Sequence, residues 1–122
     1  MKPLFVYGTL LENGAQAGLL QGCSRRPATL RGRLYRMPAG YPALVPGGSG
    51  EVHGELVELP RHALFGILDA YEGVEQGLYR REEHVARVGI RPVPCWAYVM
   101  HKPELRGGRV IPSGRWRSVR RR

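Results

Sequence analysis

Two short stretches of this chain hold residue types that could do chemistry together. Near the amino terminus the apolar run Leu4-Phe5-Val6-Tyr7 is cut off by Gly8-Thr9-Leu10, and much further on Asp69-Ala70-Tyr71-Glu72-Gly73 closes a helix-like segment. A glycine directly after a strand lets the backbone turn with its amides exposed, ready to donate to a carboxylate or carbonyl oxygen. A Glu at a helix end can carry protons as base or acid. Tyr7, Gly8, Thr9 and Leu10 are thus candidate binding residues and Glu72 the candidate catalytic one, which together suggest a small amide-processing site.

Other groups compete for these roles. Asp69 lies one turn before Glu72 and suits holding a loop or an arginine, while Glu75 falls in the exposed turn Val74-Glu75-Gln76-Gly77. Tyr79 and Tyr98 could each pack an aliphatic substrate arm and offer a hydroxyl, and both also fit plain sheet packing; Tyr79 is taken as the candidate. Tyr71 reads as core. No GxxxxGK[ST] or GxGxxG phosphate loop is present. His53, His62, His84 and His101 are scattered without ligand spacing, Cys23 and Cys95 form no CxxC, and no serine sits in a GxSxG setting. The expectation is no metal, no cofactor, no disulfide framework and no acyl-enzyme.

Around these residues, Leu4 to Tyr7 reads as a buried strand and Asn13 to Leu20 as a short helix with Asn13 as a cap. Thr29 to Met37, flanked by Pro27 and Pro38, reads as a strand. Tyr41 to Val45 and Val52 to Leu59 read as two more, joined by Pro46-Gly47-Gly48-Ser49-Gly50 as a hairpin connection. Pro60 opens the principal helix, where Leu64, Ile67, Leu68 and Tyr71 at i, i+3, i+4 and i+7 predict the apolar stripe. Glu72 then leaves near the edge of that stripe, partly buried, with Gly73 just past the helix end. Leu78 to Val88 and Pro92 to Met100 supply two further strands. Several strands under one main helix argue for an α+β domain.

The chain's 122 residues suffice for one domain with a single core. No apolar run approaches the roughly 20 residues that span a bilayer, and only four apolar residues follow Met1-Lys2-Pro3, too few for a signal-peptide core; a cytoplasmic, non-membrane protein is expected. The net charge of +9 is concentrated: residues 105–122 hold seven Arg and no acid, leaving only +2 for residues 1–104. Residues 1–104 are therefore read as the domain and 105–122 as a basic, partly disordered segment. Arg outnumbers Lys seventeen to two throughout, and the segment has a single Trp116, so a solvated tail is favoured over a nucleic-acid tether.

The words Val6-Tyr7-Gly8-Thr9-Leu10 and Leu68-Asp69-Ala70-Tyr71-Glu72-Gly73-Val74, with Leu78-Tyr79-Arg80-Arg81 following, resemble the γ-glutamyl cyclotransferase-like family, including its γ-glutamylamine cyclotransferases. Gly40-Tyr41-Pro42-Ala43-Leu44, Val52-His53-Gly54-Glu55-Leu56 and Ile111-Pro112-Ser113-Gly114 extend the likeness over most of the chain. Many members carry an acidic residue where this chain has Arg115. The resemblance implies a small mixed β-barrel with flanking helices and a cavity at the turn after the first strand. It implies a cofactor-free reaction in which a γ-glutamyl amine or amino acid closes to 5-oxoproline and releases the free amine, with Glu72 as general acid/base. A small-molecule γ-glutamyl substrate is the expected partner. Two other readings stay open: a member of the fold that binds such a ligand without turning it over, and a basic adaptor using residues 105–122 on nucleic acid or an anionic surface.

Overall fold

The computed structural model describes residues 2–8, 20, 22–60, 64–73, 75 and 77–116, apart from the side chains of Leu64 and Tyr71. Its elements are β1 (Leu4–Val6), β2 (Ser24–Arg36), β3 (Pro42–Glu58), α1 (Leu64–Tyr71), β4 (Arg80–Val88), β5 (Arg91–Val99), a 3₁₀ turn at Pro103–Arg106, and β6 (Arg109–Ile111). The short helix expected over Asn13 to Leu20 lies almost wholly outside the described residues.

The strands close on themselves. β1 pairs antiparallel with β3 and parallel with β5, β5 pairs with β4, β4 with β2, and β2 returns to β3, giving a five-stranded mixed barrel. β4 meets β2 only at Thr29 and Leu30; further along β2, Leu34 to Arg36 pair with β6 instead. Residues from within the arginine-rich segment thus extend the sheet.

Burial explains why the strands read as they do. Phe5, Leu30, Leu34, Leu44, Val52, Leu56, Ala97 and Val99 form one buried cluster. Leu4, Val6, Ala43, Val57, Tyr79, Tyr98 and Met100 form another with Phe65 and Leu68 of α1. A five-stranded barrel is too narrow to hold a helix, so the first cluster is its interior and the second lies between its outer wall and α1. β1 and the end of β5 are buried on both faces and appear as continuous apolar runs, whereas β2 alternates.

Two expectations are corrected. The segment Pro46 to Gly50 is no hairpin: β3 is continuous, and its register against β2 jumps from Gly32↔Pro46 to Arg31↔Glu51. Both halves of β3 pair with the same partner in the same direction, so residues 47–50 are a bulge thrown out of one long strand. The glycines signalled an interruption of the ladder, not a reversal of the chain. The helix stripe is also rotated. Ile67 is 58% exposed while Phe65 and Leu68 are 2% exposed, so Phe65 takes the buried place expected of Ile67 while Leu68 is buried as expected, and Glu72 follows half-buried on the same side.

Candidate active site

Glu72 sits half-buried just past the end of α1, beside the apolar stripe where the sequence placed it. The Glu72 N–H donates to the Leu68 carbonyl at 2.9 Å, completing the last helical turn, and Gly73 follows at φ +67°. A left-handed residue there ends the helix without the steric cost a Cβ would bring. The Leu78 N–H then donates back to the Gly73 carbonyl at 3.1 Å, which closes the turn and delivers Tyr79 to the start of β4.

These elements enclose a cavity of about 210 Å³. Glu72 and Tyr79 line it together with Tyr7 and Gly8 from the end of β1, Tyr41 and Pro42 from the start of β3, and Tyr98 from β5. Of the residues expected at the site, Tyr7, Gly8, Glu72 and Tyr79 therefore meet in one space. Thr9 and Leu10 lie outside the described residues. Tyr41 and Pro42 were read as strand and as part of the family likeness, not as site residues, and no local sequence signal set them apart.

The three buried tyrosines have their hydroxyl protons committed to the protein. Tyr7 donates to the Tyr98 carbonyl at 2.7 Å, Tyr79 donates to the Pro42 carbonyl, and Tyr98 donates to Asp69 Oδ1 at 2.5 Å. Toward the cavity they can offer lone pairs rather than protons. Burial, with the neighbouring Tyr79 and Glu72, holds the Tyr7 phenol well above the usual range; burial and the bond to Asp69 do the same for Tyr98. Neither can serve as a base near neutral pH. Glu72 is the one carboxylate among the described lining residues, and burial raises its carboxyl to about 7.

Asp69 and Glu75 separate from Glu72 by position. Asp69 is engaged by Arg81 at 3.0 and 3.3 Å, and Glu75 is exposed. Gly8 has a reason of its own to be glycine: a Cβ built there would lie 2.1 Å from Pro42 Cγ. No Lys or Arg lines the cavity among the described residues, and no described group of His, Cys, Asp and Glu could hold a metal ion. Cys23 and Cys95 are free thiols. No described helix is long and apolar enough to cross a membrane.

Residues 4–118 match the family model described as γ-glutamyl cyclotransferase, AIG2-like. The chain belongs to this family. It is 30% identical over 111 residues to a γ-glutamylaminecyclotransferase of Bos taurus, covering 80% of this chain and 65% of the bovine protein, so it spans about two thirds of that relative's length. Among solved structures, a mouse AIG2-like protein aligns with a TM-score of 0.74 at 23% identity, over 85% of this chain and 81% of that one. YkqA from Bacillus subtilis aligns with a TM-score of 0.74 at 26% identity, over 94% of this chain but 39% of that larger one. The small mixed barrel with few helices is the fold these γ-glutamyl cyclotransferase-like proteins share.

Proposed function

We propose that the chain is a γ-glutamyl cyclotransferase that converts a γ-glutamyl amine or amino acid to 5-oxoproline and the free amine, with Glu72 as general acid/base. The observation that carries this reading is a half-buried carboxylate, the one among the described lining residues, raised to about 7 and facing a cavity of about 210 Å³ beside the Tyr7-Gly8 turn. Sites for drug-sized ligands are roughly 300–1,000 Å³, so this one suits a group of amino-acid size.

The reaction joins two parts of one molecule. The substrate α-nitrogen attacks the γ-carbonyl carbon, the tetrahedral intermediate expels the amide nitrogen, and the five-membered lactam remains. The two protons that the α-ammonium sheds are the two that the leaving nitrogen gains, and Glu72 carries them across. A group titrating near neutrality is suited to take a proton and return it. Since attacker and electrophile are tethered, holding a folded substrate conformer supplies much of the acceleration.

The polarity of the cavity agrees with such a substrate. Glu72 and the lone pairs of the tyrosine oxygens suit an ammonium. Gly8, which lines the cavity, is the candidate main-chain donor to the substrate α-carboxylate or the oxyanion, a role proposed from the sequence for Thr9 and Leu10 as well. Tyr7 and Tyr79 would flank the aliphatic arm.

The test is incubation of the purified chain with a panel of γ-glutamyl amines and γ-glutamyl amino acids, following 5-oxoproline by mass spectrometry. Formation from at least one compound, lost in Glu72→Gln, is the expected result. A blank across the panel would leave a ligand-binding member of the fold as the better reading.

A further inference from the structure

Asp69 stands one helical turn before Glu72, so the two carboxylates share a side of α1 with Cβ atoms roughly 5–6 Å apart. An uncompensated Asp69 would act on Glu72 as a neighbouring like charge. It is instead compensated with some precision of geometry. Asp69 Oδ1 accepts from the Tyr98 hydroxyl at 2.5 Å and from Arg81 Nε at 3.0 Å, and Oδ2 accepts from Arg81 Nη2 at 3.3 Å. Arg81 and Tyr98 face each other directly across β4 and β5, so one carboxylate bridges a cross-strand pair to the helix.

The arginine is fixed as well. Its guanidinium lies 4.2 Å from the Phe65 ring centroid and 4.8 Å from that of Trp96, an arrangement that aims the donor fork at Asp69. Tyr98 carries the connection onward, because its main-chain carbonyl accepts the Tyr7 hydroxyl at 2.7 Å. A continuous path therefore runs from the ion pair to the wall of the cavity.

We propose that Asp69 is a positioning residue for the γ-glutamyl site: with Arg81 and Tyr98 it fixes the end of α1 that bears Glu72, and it cancels within one ion pair two charges that would otherwise act on Glu72 singly. This rests on the reading of Glu72 as proton carrier. Among the described residues Tyr7, Tyr41, Tyr79 and Tyr98 line the cavity with Glu72, and the charged groups nearest it along the chain are Asp69, paired with Arg81, and the exposed Glu75. Burial is the cause of the raised Glu72 carboxyl.

The two halves of the pair then have opposite signatures. Asp69→Asn leaves the Arg81 cation uncompensated, which favours the Glu72 carboxylate and lowers its titration midpoint. Arg81→Met leaves the Asp69 anion uncompensated and raises it. Each shift should be about half a pH unit or more. Both variants should lose on the order of tenfold or more in kcat with KM changed little, and Arg81→Lys should recover part of the loss.

The experiment is NMR titration of the Glu72 side-chain carboxyl in the labelled full-length chain, run beside pH profiles of kcat/KM. Midpoints that stay put, or that move the same way in both folded variants, would overturn the proposal, since a packing role alone has no sign. If Asp69→Asn does not fold, an unmoved midpoint in Arg81→Met overturns it and a raised one supports it. Failure of the parent reading looks different. If wild type forms no 5-oxoproline, or Glu72→Gln forms it unimpaired, the enzymatic assignment falls while the diverging midpoints still establish the clamp.

Discussion

With burial holding its carboxyl at about 7, Glu72 is largely ionised at pH 8 in surroundings that favour its neutral form. The first consequence is kinetic. As the proposed base Glu72 must be deprotonated, so on that proposal kcat/KM on a γ-glutamyl substrate should fall about tenfold per pH unit below pH 7, and Glu72→Gln should lower turnover on the order of 10²-fold or more. The second is thermodynamic, and its sign follows from the direction of the shift. The unfolded carboxyl titrates near 4.3, so the folded state holds the extra proton between there and about 7; the contribution is fully present below the unfolded value and is lost as pH rises through the folded one. Glu72→Gln, neutral at every pH, should therefore unfold at higher denaturant at pH 8, by about 1–3 kcal/mol, and the gain should vanish near pH 4. Equal stability of the two proteins at pH 8 would contradict the buried placement of this carboxylate. Gly8 illustrates a second residue-level point. The sequence suggested a glycine that lets the backbone turn with its amides exposed, and the structure adds that Pro42 Cγ occupies the space a Cβ would take. Gly8→Val should thus lose about 1–3 kcal/mol of stability by overpacking, and any loss of activity must be read against that.

At the level of elements, the strands were legible where burial leaves a plain pattern and misleading where it does not. β1 and the end of β5 are apolar because both faces are covered there, and the sequence showed them as strands. In the helix Leu68 was read correctly and Ile67 was not, because Ile67 and Phe65 both fit a helical stripe with Leu68; Glu72, half-buried past the helix end, was legible from its place beside that stripe. The Gly-rich interruption of β3 looked like a reversal because turns and bulges recruit the same residues. Its far side shows how the later chain is bound into the barrel. Gly114 sits at φ +67° with its carbonyl accepting the His53 N–H at 2.8 Å, and a Cβ there would lie 1.8 Å from the Glu51 carbonyl oxygen. Conformation and space both demand glycine. Gly114→Ala should lower stability by about 2–4 kcal/mol in thermal or denaturant unfolding, far more than an exposed substitution such as Leu105→Ala, which should stay within about 0.5 kcal/mol.

For the molecule as a whole, closure of the barrel was the feature no local pattern could reveal, because it depends on partners far apart in sequence: the parallel contact of β1 with β5 and the double engagement of β2 by β4 and then β6. Family likeness supplied what periodicity could not. The same topology divides the arginine-rich segment in two. Residues 109–111 belong to the sheet, and Trp116 packs against the barrel interior with the Arg36 guanidinium 4.2 Å from its ring centroid. Residues 119–122 lie beyond the stretch that matches the family and hold three of the seven arginines. Two truncations should therefore behave differently. A chain ending at Ser118 should keep its unfolding free energy within about 0.5 kcal/mol and its 5-oxoproline formation unchanged. A chain ending at Gly114 loses the cation–π contact and the cover over the interior cluster, and should lose about 2–4 kcal/mol. Binding of each truncated chain to a short RNA at 50 and 200 mM salt separates charge from structure: weak, steeply salt-sensitive binding that declines stepwise with each arginine removed marks a general polycation effect. Salt-resistant binding abolished by the Ser118 truncation alone would instead give the last four residues a partner of their own, and the chain would have to be read as more than a cyclotransferase barrel.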